Sequence, residues 1–273
     1  MFQGRIDAPP AAEDWTDYRV AEDWGRFMRV DHDTWDRLFA RQARLLRERA
    51  VTPFLNGVRR LGLDEPGIPQ LERLSARLRH ATGWELVSVA GIVPDAAFFA
   101  MLADRKFPIG NFIRDGANLD YLEEPDCFHD IFGHVPVLAD GEVADMMQAI
   151  GELGLAACKA GHGETVSRLY WHTVEFGLAR ENGDVRIWGA GLASSFGEAR
   201  FSLEAEVPRP HFTLADAAAT GYRSDRFQPL YFVSDGVART AAALADLSLG
   251  DLAALGAAAG DGYAPGDERL ANV

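Results

Sequence analysis

The chain has 273 residues, 48% of them hydrophobic, and carries 27 Lys and Arg against 41 Asp and Glu for a net charge of −14. That is apolar content enough for a substantial core, in one large domain or two small ones. The acidic balance argues against a nucleic-acid or anionic-membrane partner, either of which wants a basic face. The two cysteines, Cys127 and Cys158, give no disulfide framework and fit a reducing, cytoplasmic setting. Met1 to Arg5 lead into no long apolar core, so no signal peptide is evident. No stretch approaches the roughly 18 uncharged apolar residues of a membrane span.

Residues 1–30, with Pro9-Pro10 and scattered Trp15, Tyr18 and Trp24, read as an irregular arm. Asp33 then serves as N-cap for a helix over 34–49, whose Trp35, Leu38, Phe39 and Leu45 keep the 3.6-residue period. A second helix is predicted over 53–61, ended by Gly62, and a third from Ile68 to His80. Trp84 to Val93 reads as extended, and Pro94-Asp95 opens a helix through Leu102. Residues 107–123 are loop or short strand. Two helices follow, one bearing His129 and one over 141–160. After Gly161-His162-Gly163 comes a long helix carrying Tyr170 to Arg180. Asn182-Gly183-Asp184 is a turn, and 185–188 a strand. The block 189–201 turns helical near Ser195, Pro208 and Pro210 mark a linker, 230–233 is a short strand, and 237–259 a last helix. The fold class is mainly α with minor β, in a single domain over 31–260, with a polar tail over 261–273.

The chemistry-bearing stretch runs from Tyr121 to Pro136, where His129 and His134 stand five residues apart in apolar surroundings. Imidazole is the commonest metal ligand. At about 100° per residue, positions i and i+5 of an α-helix lie roughly 140° apart, so one face cannot carry both. A helix ending at Gly133 would remove the difficulty, leaving His134 on a turn that points back. Two structural, hydrogen-bonded histidines are the plain alternative. A second stretch shifts the balance. Glu175 stands alone among bulky apolar residues in Arg168 to Leu178, and a buried carboxylate is costly unless paired, protonated or bound to a metal. Two imidazoles and one carboxylate are the donors of the facial triad in non-haem Fe(II) oxygenases.

With these residues in view, the sequence resembles the pterin-dependent aromatic amino acid hydroxylases, and among them the short bacterial phenylalanine 4-monooxygenases. The resemblance rests on Glu124-Pro125-Asp126, the His129-x4-His134-Val-Pro block, Tyr170-Trp171 to Glu175-Phe176-Gly177, Gly189-Ala190-Gly191-Leu192 with Ser194-Ser195, and Phe227-Gln228-Pro229-Leu230-Tyr231. These blocks keep the family's order and approximate spacing, from about Asp33 to about Asp235. The resemblance implies the family's catalytic domain and conversion of L-phenylalanine to L-tyrosine with O2. Its cofactors would be Fe(II) and a tetrahydropterin (tetrahydrobiopterin or a bacterial analogue) that contributes two electrons. It also implies a monomer, since neither an N-terminal regulatory domain nor sustained C-terminal heptads are evident.

Residue by residue, the resemblance implies His129, His134 and Glu175 as iron ligands. Arg114 matches the arginine that holds the substrate carboxylate, and Asp126 would either fix Arg114 or cap the helix. Pro125 and Trp171 match the residues that flank the substrate ring, and Ser194 a serine supporting the substrate and the first histidine. Gly91, Val93, Phe98, Asp130 and Tyr170 match pterin-binding positions, with Asp130 in place of a glutamate and reaching the pterin only through water.

Three departures stand out: Leu122 where the animal enzymes place a threonine, His172 where Phe or Tyr is commoner, and Asp115 at a position often held by His. Trp171 and Val233 favour phenylalanine over tryptophan and tyrosine. The runner-up is hydroxylation of L-tryptophan or of another ring carbon. A zinc metallohydrolase fits less well, because the glutamate of His-Glu-x-x-His is missing. A metal-free helical binding module is the remaining alternative.

Overall fold

A computed structural model describes residues 14–120, 124–259 and 262. The expected tail lies outside these apart from Gly262, and so does the arm before Asp14. The described part of the arm is docked. It forms 3-10 turns at Trp15–Tyr18 and Trp24–Arg26, buries Trp24, whose indole N–H donates to the Pro69 carbonyl at 2.7 Å, and lays Val20 along Ser88 by a 2.9 Å backbone bond.

Helix α1 spans Arg29–Leu46, starting earlier than Asp33 predicts. The reason is Asp31, whose carboxylate accepts from the Met28 N–H at 2.8 Å and closes the first turn from the third helical position. Its apolar stripe buries Trp35, Leu38 and Leu46. Helices α2 (Thr52–Arg60) and α3 (Leu71–Thr82) follow. Strand β1 (Glu85–Val89), helix α4 (Asp95–Ala103) and strand β2 (Lys106–Gly110) form a crossover unit, with β1 and β2 parallel and Glu85 opposite Lys106.

The next segment differs from expectation. The chain does not stop at Gly133. It continues as a π-helix over His129–His134 into α5 (Val135–Leu138). Gly133 is there for closeness: a Cβ on it would sit 2.8 Å from the Ala190 carbonyl oxygen. Helix α6 (Gly141–Ala160) has the predicted bounds, capped by Asp140 and by Gly161 at φ 80°.

The predicted long helix is shorter. Helix α7 (Gly163–Tyr170) widens into a second π-helix, Trp171–Glu175, closed by a Phe176 N–H to Trp171 carbonyl bond of 2.9 Å. Residues through Arg180 then belong to strand β3 (Leu178–Glu181), paired antiparallel to β4 (Asp184–Ile187). Asn182 and Gly183, with φ of 53° and 89°, make the tight hairpin turn. Helix α8 (Ala190–Ser194) and α9 (Phe196–Phe201) are separated by Ser195, which caps the latter. Helix α10 (Leu214–Ala219) was not foreseen. Strand β5 is only Val233–Ser234, parallel to β3. The last predicted helix is two, α11 (Val237–Ala245) and α12 (Leu249–Ala259), bent by 103°. Ser248 and Asp251 exchange side-chain and backbone bonds that start α12 afresh. No single described helix is long and apolar enough to cross a membrane.

The core gathers behind the first π-helix. Phe128 and Phe132 stack at 4.9 Å, Phe54 and Phe39 meet Phe132 edge-on at 5.5 Å, and Trp35 meets Phe128 at 5.1 Å. This apolar back anchors the helix, and its opposite face is left to the histidines.

Candidate metal centre

A π-helix hydrogen-bonds i to i+5, so residues five apart stack on one face. That geometry brings His129 and His134 together without a break. Their Nε2 atoms lie 3.3 Å apart. The second π-helix presents Glu175 to the same point, with Oε1 3.2 Å from His134 Nε2 and Oε2 3.8 Å from His129 Nε2. All three side chains are buried, and one donor atom from each falls within 4.8 Å of the others.

The protonation pattern suits a cation. Burial drives the His129 pKa well below its ordinary value, against the pull of Glu175, so the ring stays neutral with a lone pair to give. Burial alone would raise the Glu175 carboxyl, but the facing imidazoles of His134 and His129 outweigh it and hold the pKa at about 2.

Ser194 decides the tautomer. Its hydroxyl donates to the Ala190 carbonyl at 2.9 Å, so at 2.8 Å it accepts from His129 Nδ1–H. Nε2 of His129 is thereby the free donor. His134 Nδ1 has no hydrogen-bond partner among the described residues. Two imidazoles and a carboxylate converging in a buried space, beside a cleft, are a fitting cradle for a divalent first-row metal with N and O ligands.

Asp126 performs both expected tasks. It accepts from Arg114 Nε, Nη2 and backbone N–H at 2.8–2.9 Å, and from the His129 backbone N–H at 2.9 Å. One buried carboxylate thus ties Arg114 to the start of the metal-bearing helix. Arg114 also donates to the Leu119 carbonyl at 3.2 Å. Three of its five side-chain N–H groups are so engaged among the described residues, which leaves donors for an incoming carboxylate.

A cleft beside the triad is lined by Gly91, Val93, Phe98, Pro125, Asp130 and Tyr170, together with His134 and Glu175. Phe98 stands half-buried, edge-on to Tyr170 at 5.5 Å. Asp130 accepts from the Gly110 N–H at 2.7 Å, and burial raises its pKa to about 6. Sequence reasoning missed the walls supplied by β2, namely Phe107, Pro108 and Gly110, since a short apolar strand carries no chemical signal. It also missed what surrounds Trp171. Tyr222 stacks on that indole at 4.2 Å and Phe176 packs at 4.8 Å.

Val233 lies in β5 in register with Leu178, apart from the residues lining the cleft. Of the departures, Leu122 falls outside the described residues. Asp115 is exposed and turns back to the Ala117 N–H. His172 does not face solvent. It is buried, donates from Nε2 to the Thr220 carbonyl at 3.0 Å, and is kept neutral by burial with a pKa of about 4.

A family model describing biopterin-dependent aromatic amino acid hydroxylases matches residues 12–249. The chain belongs to that family. It is 45% identical over 237 residues to a phenylalanine-4-hydroxylase of Caulobacter vibrioides, covering 86% of this chain and 80% of that one. A phenylalanine-4-hydroxylase of Ralstonia nicotianae is 46% identical over 220 residues, covering 80% and 70%. In three dimensions the chain is similar to the Chromobacterium violaceum phenylalanine hydroxylase crystallised with bound oxidised Fe(III), with TM-score 0.86, 40% identity and coverage of 94% and 93%. The mainly helical single-domain fold expected from the resemblance is thus the family's own.

Proposed function

We propose that this protein is a tetrahydropterin- and Fe(II)-dependent monooxygenase that converts L-phenylalanine to L-tyrosine with O2. The observation that carries the reading is the meeting of His129, His134 and Glu175 in one buried cradle within a chain of this family. Family membership sets aside the zinc hydrolase and the metal-free binding module.

Bound iron and tetrahydropterin supply what no side chain can, two electrons and a metal face at which O2 is activated. The protein's part is placement. His129, His134 and Glu175 hold the metal from one side and leave the other open. Ser194 fixes the His129 ring so that Nε2 faces the metal. Arg114, braced by Asp126, receives the amino-acid carboxylate through a forked pair of donors. Pro125 lines the cleft, and Trp171, wholly buried and not among its lining residues, would back the space for the aromatic ring, while Val233 lies apart from the cleft, paired with Leu178. Gly91, Val93, Phe98, Asp130 and Tyr170 take the pterin in the cleft, where Phe98 offers a ring face and Asp130 a carboxylate. The buried walls keep water from the reacting centre. We place the enzyme in the cytoplasm as a monomer.

The test is iron content joined to product analysis. Wild-type protein should take up about one iron and form tyrosine only with a tetrahydropterin, whereas His129→Ala, His134→Ala and Glu175→Gln should lose both. Full iron content in all three variants would end the assignment. Assays on phenylalanine, tyrosine and tryptophan decide the substrate: tryptophan turnover above that of phenylalanine would reverse the choice.

A further inference from the structure

Outside the iron cradle, one knot of buried polar groups centres on Gln228, which lies between Trp171 and the loop preceding β5. Trp171 is fully buried, and a buried indole N–H requires an acceptor. That acceptor is Gln228 Oε1, at 3.0 Å. The amide cannot turn over, because its Nε2 donates to the Arg223 carbonyl at 2.6 Å and to the Arg226 carbonyl at 3.3 Å. Turned the other way, it would set donor against donor at the indole and oxygen against oxygen in the loop. Its backbone N–H is held in turn by Glu198 Oε1 at 2.9 Å, an oxygen that also accepts from the Tyr231 hydroxyl at 2.8 Å. Tyr222, from the same loop, covers one face of the indole at an interplanar angle of 15°. Among the described residues, the indole's hydrogen bond and one of its two ring-stacking contacts come from residues 222–228, the other from Phe176.

We propose that Gln228 is a positioning residue: its side-chain amide fixes the rotation of Trp171, and so the shape of the wall that receives the substrate's aromatic ring. The inference rests on the reading above that Trp171 flanks that ring. Gln228 touches no iron donor, so its effect falls on substrate fit. A purely structural role, closing the 223–228 loop, rests mainly on Nε2, because Oε1 accepts there only from the Arg223 N–H, at 3.5 Å. The orienting role uses Oε1, and variants can separate the two atoms.

The experiment measures direct binding of L-phenylalanine to the iron-loaded protein, with iron content and steady-state kinetics alongside. Gln228→Met keeps the volume and loses both functions. It should raise the phenylalanine Kd and KM roughly tenfold, the worth of one buried hydrogen bond, with kcat less affected and iron content unchanged. Gln228→Glu keeps an acceptor toward the indole but sets oxygen against oxygen in the loop, so it should lower Tm while the phenylalanine Kd of the folded protein stays within about threefold of wild type. Equal losses in the Met and Glu variants, or an unchanged Kd in Gln228→Met, would overturn the proposal. Should Gln228→Met not fold, Gln228→Asn, too short to reach the indole, takes its place with the same expectation. Trp171→Phe separates the two layers of argument. If it leaves phenylalanine binding untouched, the placing of Trp171 beside the ring fails. If it weakens binding while Gln228→Met does not, only the role of Gln228 fails.

Discussion

Replacing Gly133 by alanine tests the packing that makes the iron cradle. Gly133 lies inside the first π-helix between the two histidines, and it is not among the glycines with positive φ, so alanine meets no backbone strain there. In an open helix the change would stabilise by about 1 kcal/mol. Here a Cβ would stand 2.8 Å from the Ala190 carbonyl oxygen and 3.1 Å from the Ala190 Cβ. The obstacle is backbone, which cannot swing aside, so the cost belongs near the upper end of the range for overpacking, about 3 kcal/mol. The net loss is about 2 kcal/mol, a fall in Tm of roughly 4–8 °C.

The displaced group matters for function as well. The Ala190 carbonyl receives the Ser194 hydroxyl, and that hydroxyl holds His129. Pushing α8 away should therefore loosen His129 and weaken iron binding by about tenfold or more. Thermal melts of iron-free protein and iron titration measure the two effects. Gly141→Ala is the control, since a Cβ there meets nothing within 4 Å. Gly133→Ala with undiminished Tm and unchanged iron affinity would refute the reasoning.

Ser194→Ala removes the acceptor that fixes the His129 tautomer, along with the hydroxyl's bond to the Ala190 carbonyl, so iron affinity should fall roughly 10–100-fold while the fold is kept; iron affinity equal to wild type in a titration would dismiss that role. Glu198 gives a pH prediction. Burial raises its pKa from 4.5 to about 7, against the lowering bonds from the Gln228 N–H and the Tyr231 hydroxyl. Between those values the folded state binds more protons than the unfolded one, so stability is full below about 4.5 and is lost as pH rises through about 7. The loss is on the order of 3 kcal/mol. Glu198→Gln keeps an acceptor oxygen without the titration, so denaturant melts from pH 5 to 8 should show the variant gaining on wild type as pH rises. Because Asp95 and Asp130 are raised as well, the difference between the two proteins is the quantity to read, and a flat difference counts against the argument.

Much of the metal centre was legible because its chemistry is local in composition, an isolated Glu175 and two histidines in apolar company, whereas Arg114 and Asp126 came only from the family resemblance. Helix bounds were legible where caps speak for themselves, as at Asp140 and Gly161 around α6 or in the Asn182-Gly183 turn. The Ser248-Asp251 box that divides α11 from α12 was also there to be read. What could not be read was the winding of the two helices that carry the ligands. An i to i+5 turn has no residue signature, and alternation of apolar side chains at the α period hides it. The expectation of a break at Gly133 came from sound geometry applied to the wrong helix.

Arg180 failed for a different reason. Leu-Ala-Arg-Glu has helical propensity, yet the chain must leave the helix at Glu175, because residues 188 and 189 press against it. A Cβ on Gly189 would lie 2.4 Å from the Glu175 carbonyl oxygen, and both Trp188 and Gly189 donate to the Gly177 carbonyl. Tertiary packing overrides propensity there. Two histidines five residues apart can face one ion only if their helix is wound wider than the α form, and the departure from regular structure falls where the chemistry is. A regular α-helix would have turned His134 about 140° away from His129 and left Glu175 facing one imidazole instead of two.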